Sequence, residues 1–417
     1  MRPTSRRVGI WLLIASVLLI AVATLTPANS NTLDFWSFCL VCGEQGVADV
    51  ISNLILFLPL GVALGLLGRS RLKPYALGLL LSTAIELIQV FIPGRDANLA
   101  DVVWNGAGTL LGVFLAHSAG RFLDVRERTA ARLSLASAVA AIGAWTATAV
   151  LLAPAFPSDM PYWGEHQPVL DHLGRYRGVL LEASLGGQIV PEAQLPDAER
   201  IRGLLHESAP ITVRAIAGPP PGKLAPVFSI DGYQTGLVRV AIDRQDVVYH
   251  HRMRAEALRL DRPVFRLPDG MRDVAEGDTF RIEVLGRGGR TCIAVNGTGS
   301  CRFGFTVADG WRLLSDFDPF PLWAALLIGA IWMAALMFPS GYWARPGWET
   351  PLGLVLAVAA LAAIPAASPL LATPPFAVTG AASGFVAGTL AGRLRRRAMA
   401  PRPDQASTTF RPERADS

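Results

Sequence analysis

STAIELIQVFIPGRDANLADVVWN, residues 82–105, is the stretch that decides how the chain is read. It leaves one apolar run and enters another, yet between them it carries Glu86, Gln89, Arg95, Asp96, Asp101 and Asn105. Residues 75–92 otherwise read as membrane-spanning, and a carboxyl group in hydrocarbon is costly unless neutralised, so Glu86 is a functional candidate by default. Ser82, Glu86 and Gln89 follow an i, i+4, i+7 spacing, which places all three on one helix face, pointing into protein. Pro93-Gly94 ends that helix. Arg95 then falls at the membrane surface, where it is the expected counter-ion of Glu86 or Asp101.

The same stretch contains half of a short repeat. Ala-Asp-Val-x-x-Asn occurs at 48–53 and again at 100–105, each time just before an apolar run. Each run then carries a Gly-x-x-x-Gly pair, Gly61 with Gly65 and Gly108 with Gly112. The two segments read as copies of one helical unit. An aspartate at each helix start suits the positive end of the helix dipole.

These residues carry a family resemblance. The pattern is Asn53-x3-Phe57-x-Pro59-x-Gly61, then Glu86-x2-Gln89, then Pro93-Gly94-Arg95-x5-Asp101-Val102-x2-Asn105-x2-Gly108-x3-Gly112. Leu25-Thr26-Pro27, at the end of the first apolar run, fits it too. The segment around residues 8–120 resembles the VanZ-like family of membrane proteins, named for a protein associated with teicoplanin resistance. The resemblance implies a helical membrane domain in the bacterial envelope and no particular reaction.

Composition agrees with a membrane protein that carries a sizeable soluble part. Of 417 residues, 51% are hydrophobic and only 17% charged. The net charge of +5 does not point to nucleic acid, because arginines gather at the ends of apolar runs, as the positive-inside rule expects. Four cysteines fall in two close pairs, Cys39 with Cys42 and Cys292 with Cys301, which suggests disulfides in an oxidising compartment if those segments face outward, with a redox pair or two free thiols the alternatives at Cys39 and Cys42. One Cys-x-x-Cys without a second pair is weak as a metal site.

Apolar runs of roughly 20 residues, enough to cross a bilayer, predict five spans in a membrane domain over 1–153, at about 8–25, 50–68, 75–92, 102–119 and 133–153. The first reads as an uncleaved helix with its N-terminus in the cytoplasm. Basic loops at 69–73 and 120–132 belong inside. A domain over 154–320 follows an outward helix and should lie outside the membrane. Three more spans fill 321–394, and a basic tail, 395–417, is expected to be cytoplasmic and disordered. Gly380, Gly384, Gly388 and Gly392 recur every fourth residue in the last span, a stripe that lets another helix approach closely. The fold class is therefore a polytopic all-α membrane bundle of about eight spans, with both termini inside and an extracytoplasmic all-β sandwich inserted.

The β assignment rests on period-two alternation. Val238, Val240 and Ile242 alternate with Arg239, Ala241 and Asp243, and Phe280, Ile282 and Val284 share a face. Asn296-Gly297 favours a two-residue type I′ hairpin turn. That turn pairs Val295 with Thr298, Ala294 with Gly299, Ile293 with Ser300 and Cys292 with Cys301, a position suited to a cross-strand disulfide. The hairpin and strand pattern resemble laminin-G-like or concanavalin-like sandwiches, which implies glycan binding or a plain scaffold. Adjacent His250 and His251 point to opposite faces of a strand, one to the surface and one to the core, and so do not share a metal. His206-Glu207 lacks the second histidine of a zinc-protease motif. No metal site, cofactor fingerprint, phosphate loop or Gly-x-Ser-x-Gly elbow is present.

The unusual polar residues gather near one leaflet: Asp49, Asn53, Glu86, Gln89, Arg95, Asp101 and Asn105. The first functional expectation is binding or handling of an amphiphilic envelope molecule, such as a lipid-linked glycan or a glycolipopeptide, with no cofactor and the bilayer as partner. The second is a membrane-embedded hydrolase or transferase using Glu86 or Asp101 as general base, for which no nucleophile or metal set is recognisable. The third is structural, with the same polar groups fastening and capping helices.

Overall fold

The computed structural model describes residues 3–27, 39–41, 43–68, 70, 72–92, 94–95, 97–170, 173–233, 235–287, 289–315 and 321–399. The expected Cys39–Cys42 pair involves Cys42, which lies outside the described residues, as does the tail beyond residue 399.

Five helices come first: α1 (Pro3–Leu25), α2 (Gly46–Leu67), α3 (Leu72–Gln89), α4 (Leu99–Leu123) and α5 (Glu127–Leu151). Strands β1 (Trp163–His166), β2 (Val179–Leu185) and β3 (Gln188–Ile189) follow, then α6 (Ala198–His206). Next are β4 (Ile211–Ile216), β5 (Ala225–Gly232), β6 (Thr235–Asp243), β7 (Asp246–His251) and the single turn α7 (Arg254–Ala257). Strands β8 (Phe265–Leu267), β9 (Thr279–Arg287), β10 (Arg290–Val295) and β11 (Thr298–Phe303) and a 3-10 helix, Val307–Leu313, complete this part. Helices α8 (Leu322–Tyr342), α9 (Glu349–Ala366) and α10 (Pro375–Met399) end the described chain. Two compact units result, one formed by 1–124, 147–320 and 365–372, the other by 125–146, 321–364 and 373–417.

Among the described residues, six helices are long and apolar enough to cross a membrane: α1 from Arg6, α2, α4, α5, α8 and α9. The expectation of about eight spans thus meets helices at all eight positions, six of which qualify. In α3, Lys73, Glu86 and Gln89 dilute the apolar run, and in α10 glycines and threonines do the same. Large apolar side chains stand on the outside of the bundle helices, with Trp11 71% and Val358 68% exposed. That surface is stable against lipid and not against water, and the chain is a multi-pass membrane protein. Helix α3 is inside out by aqueous standards: Leu77, Leu80 and Leu87 are exposed, while Ser82, Glu86 and Gln89 are buried.

In the first unit, α2 and α4 lie side by side and parallel. Gly61 and Gly65 meet Thr109 and Val113, while Leu54 and Leu58 meet Gly108 and Gly112. The repeated sequence thus becomes two parallel helices in matching register. A Cβ on Gly108 would stand 2.5 Å from the Leu54 carbonyl oxygen, so only glycine permits this approach. Ile20, Phe57, Leu60 and Ile85 form the buried apolar centre shared by α1, α2 and α3. In the second unit, the expected glycine stripe of α10 packs on α8: a Cβ on Gly380 would stand 2.5 Å from the Ala330 carbonyl oxygen. The Ser134 hydroxyl of α5 donates to the Ser340 carbonyl of α8 at 2.9 Å.

The β-rich part contains a five-stranded sheet, ordered β1-β5-β6-β7-β8, and a six-stranded sheet, ordered β11-β10-β9-β4-β2-β3. Neighbouring strands in both sheets run antiparallel. Val238, Val240 and Ile242 face the same way as their partners His251, Tyr249 and Val247, and the opposite sheet supplies Ile211, Val213, Phe280, Ile282 and Val284. Ten of these eleven positions, all but His251, are buried, consistent with a sandwich closed between the two inner faces. The predicted hairpin register holds at Val295–Thr298, Ala294–Gly299 and Ile293–Ser300. A bulge then gives β11 one extra residue, and Cys292 and Cys301 are joined by a disulfide with Cα atoms 3.8 Å apart. Asn296 and Gly297 have φ of 49° and 83°, as a type I′ turn requires.

The two histidines do point to opposite faces. His251 packs against Tyr249 and Phe265 at the inner face. Burial, reinforced by neighbouring His250, pushes it from near 6.5 to about 3, with Glu256 opposing weakly. His250 is not the surface residue expected: it is 8% exposed, with Nε2 3.3 Å from Glu256 of α7. That short helix covers its side of the sheet, and no local pattern announces it.

Candidate functional site

The site is built on α3, α4 and the turn between them. Helix α3 buries Ser82, Glu86 and Gln89 along one face, as their spacing requires. Asn98 then opens α4 in an extended conformation, its side-chain oxygen accepting the Ala100 N–H at 3.0 Å. This caps one of the helix's free N–H groups. Asp101, three residues on, sits in the first turn of α4, where negative charge is favoured by the helix dipole.

Direct bonds join the elements. Glu86 is 1% exposed, and its Oε2 accepts the Asn98 backbone N–H at 2.7 Å. Asn53 of α2 donates to Asp101 Oδ1 at 2.8 Å, so the asparagine of one repeat meets the aspartate of the other. The converse bond is not made. Asn105 is 2% exposed and donates to Ser82 of α3 at 2.9 Å, and Thr109 donates to the Asn105 carbonyl at 3.0 Å. Asp49 lies in the first turn of α2 and is exposed. Glu86, Asp101 and Asp49 form a row in which each carboxyl is within electrostatic range of the next.

Gln89 and Arg95 turn the other way. Gln89 donates to the Thr24 carbonyl at 2.9 Å. Arg95 donates through Nε to Thr26 and through a terminal nitrogen to Ala23, at 2.9 and 2.8 Å. The expected counter-ion role is thus met only at a distance, toward Asp101, and the direct bonds of Arg95 go to α1 instead. Its guanidinium holds the last turn of α1, whose carbonyls have no helical partner, while remaining within electrostatic range of Asp101. Two buried acceptors, Gln89 Oε1 and Asn105 Oδ1, have no partner among the described residues. No group of three or more His, Cys, Asp or Glu among those residues is arranged to hold a metal.

Above the cluster, the first turn of α2 is tied to the β-rich part. The Val47 and Ala48 N–H groups donate to the Arg259 carbonyl at 3.1 and 3.3 Å. The Arg259 side chain donates to the Gly43 carbonyl at 2.6 Å, and Gln45 donates to Asp261 at 2.7 Å. One turn along α2, Ser52 donates to the Leu314 carbonyl at 2.6 Å. Arg259 holds a positive φ of 55°, so its carbonyl is aimed by an uncommon backbone conformation.

Two participants escape sequence reading. Asn98 had a usable signal, an asparagine three residues before Asp101 at the mouth of an apolar run, which is a capping pattern. Arg259 had none, since its partners lie far away in the chain.

No curated protein and no solved structure matches the chain. A family model described as VanZ/LLP1 matches residues 10–121, the stretch that holds α1 to α4 and every residue of the polar cluster. The N-terminal part of this membrane protein, residues 10–121, is thus a VanZ-like domain.

Proposed function

We propose that the VanZ-like domain binds the polar head of an amphiphilic envelope molecule at the outer leaflet. Asp49, Asn53, Glu86, Gln89, Arg95, Asp101 and Asn105 form or brace the site. The observation that carries this reading is two buried amide oxygens, Gln89 Oε1 and Asn105 Oδ1, without a partner among the described residues. A buried acceptor without a donor is destabilising, so its persistence favours a donor-rich ligand such as a sugar bearing hydroxyl groups. A lipid-linked glycan or glycolipopeptide has such a head and keeps its tail in hydrocarbon.

In this reading, eight helices cross the bilayer, both termini are cytoplasmic, and the β-rich part is extracytoplasmic. The basic segments at 69–73, 120–132 and 393–397 support that orientation. The β-rich part, as a concanavalin-like sandwich, holds the glycan portion, and glycopeptide resistance is one process in which such a protein would act.

A structural reading is favoured by one specific observation: Asn53–Asp101, Glu86–Asn98 and Asn105–Ser82 already bond to each other. Thermal stability of the purified chain with a solubilised polyprenyl-diphosphate glycan separates the two. The binding reading expects stabilisation of the parent and none of Glu86→Gln/Asp101→Asn. Equal shifts in both proteins would contradict it.

A further inference from the structure

Two adjoining cavities lie where the first turn of α2 and the end of α5 meet the β-rich part. The larger, about 440 Å³, is lined by Glu44, Gly236, Arg252, Glu256, Arg259 and Arg262 among others. The second, about 370 Å³, is mainly apolar, with Pro154, Phe156, Pro157, Met253 and Ala257 in its wall. Arg252 lines both.

Three arginines and two glutamates line the larger cavity. Arg262 pairs with Glu44 at 2.5 Å. Glu256 accepts the Met253 N–H at 2.8 Å and faces His250. Arg259 donates to backbone carbonyls, which bring no compensating full charge. The Arg252 side chain has no hydrogen bond or ion pair among the described residues. Arg239, from the adjoining strand, lies within range of Arg262 but is compensated first by Asp231, and its buried Nε has no partner among the described residues. The Arg252 guanidinium, with Arg259 and Arg262 lining the same space, suits a phosphate, which accepts two bonds from a planar fork and brings negative charge to it.

Position supplies the second half of the argument. The apolar cavity starts three residues after the last residue of α5, and the cationic cavity ends at the residue before α2 begins. Both therefore lie at the level where membrane helices end, with an apolar space on one side of Arg252 and a cationic space on the other.

We propose that Arg252, with Arg259 and Arg262, binds the phosphate head of an anionic amphiphile whose apolar chain lies along residues 154–157. None of these residues belongs to the intramembrane polar cluster, so this second site stands or falls separately from that one.

Calorimetric titration of the full chain in neutral detergent tests it, using dihexanoyl phosphatidic acid and, separately, inorganic phosphate. The phosphatidate should bind about tenfold or more tightly than inorganic phosphate, and Arg252→Gln should weaken it by about tenfold or more. Ala257→Asp, which changes an exposed position in the apolar wall, should weaken the phosphatidate and leave inorganic phosphate unaffected. Arg272→Gln, a remote exposed arginine paired with Asp269, should bind like the parent, and Glu86→Gln is measured beside it. Unchanged phosphatidate affinity in a folded Arg252→Gln chain would overturn the site. Equal affinity for phosphate and phosphatidate would overturn the amphiphile, and loss of binding in Glu86→Gln alone would place the ligand in the membrane cluster instead.

Discussion

Replacing Glu86 separates the fastening of the helices from whatever else the cluster does. The Glu86 Oε2 accepts the Asn98 N–H at 2.7 Å in a position only 1% exposed. Glu86→Leu removes that buried acceptor, a loss of roughly 1–3 kcal/mol. Leucine also relieves the burial of a carboxyl group, and polar contacts between membrane helices average only about 0.6 kcal/mol, so the net loss should be about 1–2 kcal/mol. Glu86→Gln keeps the shape and an amide oxygen for the same N–H, and should lie within about 1 kcal/mol of the parent. Equilibrium unfolding in mixed sodium dodecyl sulfate and dodecyl maltoside micelles reads both values. A Glu86→Leu protein as stable as the parent, or a Glu86→Gln protein lowered as far as Glu86→Leu, would refute the role given to this bond.

Three further perturbations test the frame around the site. Gly108→Ala brings a Cβ to 2.5 Å from the Leu54 carbonyl oxygen and should lower stability in the same micelle assay by about 1–3 kcal/mol, as overpacking does. Cys292→Ser/Cys301→Ser opens a loop with a sequence separation of 9 and should lower the melting transition of the β-rich part by about 2–3 kcal/mol, read by limited proteolysis against temperature. His251, held at about 3 when folded against 6.5 otherwise, binds its proton more readily in the unfolded chain. Stability from this group is therefore full above about pH 6.5 and falls as pH drops toward 3. Melts between pH 7 and pH 4 should show that fall in the parent and a weaker one in His251→Phe.

The sequence was most informative where physics is local or periodic. Ser82, Glu86 and Gln89 share a buried face because a helix leaves no other arrangement. The Ala-Asp-Val-x-x-Asn repeat foretold two equivalent helices, and their close packing follows from a pair of glycines four residues apart in each. Asn296-Gly297 set the hairpin register, since few residues other than asparagine and glycine adopt its two positive φ angles readily. What escaped depends on distant partners. Arg95 was assigned to carboxylates because charge is visible in a sequence, whereas the unpaired carbonyls at the end of α1 are not. The span count faltered at α3 and α10, where residues that serve packing or the site lower the hydropathy that marks a crossing. The docking of Arg259 on α2 left no trace, because a backbone carbonyl capping a helix places no demand on residue type.

The central claim is that the polar cluster of the VanZ-like domain holds the head of an envelope amphiphile. The most direct measurement is mass spectrometry of lipids released from the full chain purified in mild detergent, beside Glu86→Gln/Asp101→Asn prepared identically. The account predicts a glycosylated or polyprenyl-linked lipid retained by the parent and lost from the variant, with the variant still folded and inserted. Bulk phospholipid alone in both preparations would contradict it and leave the cluster as a fastening between helices.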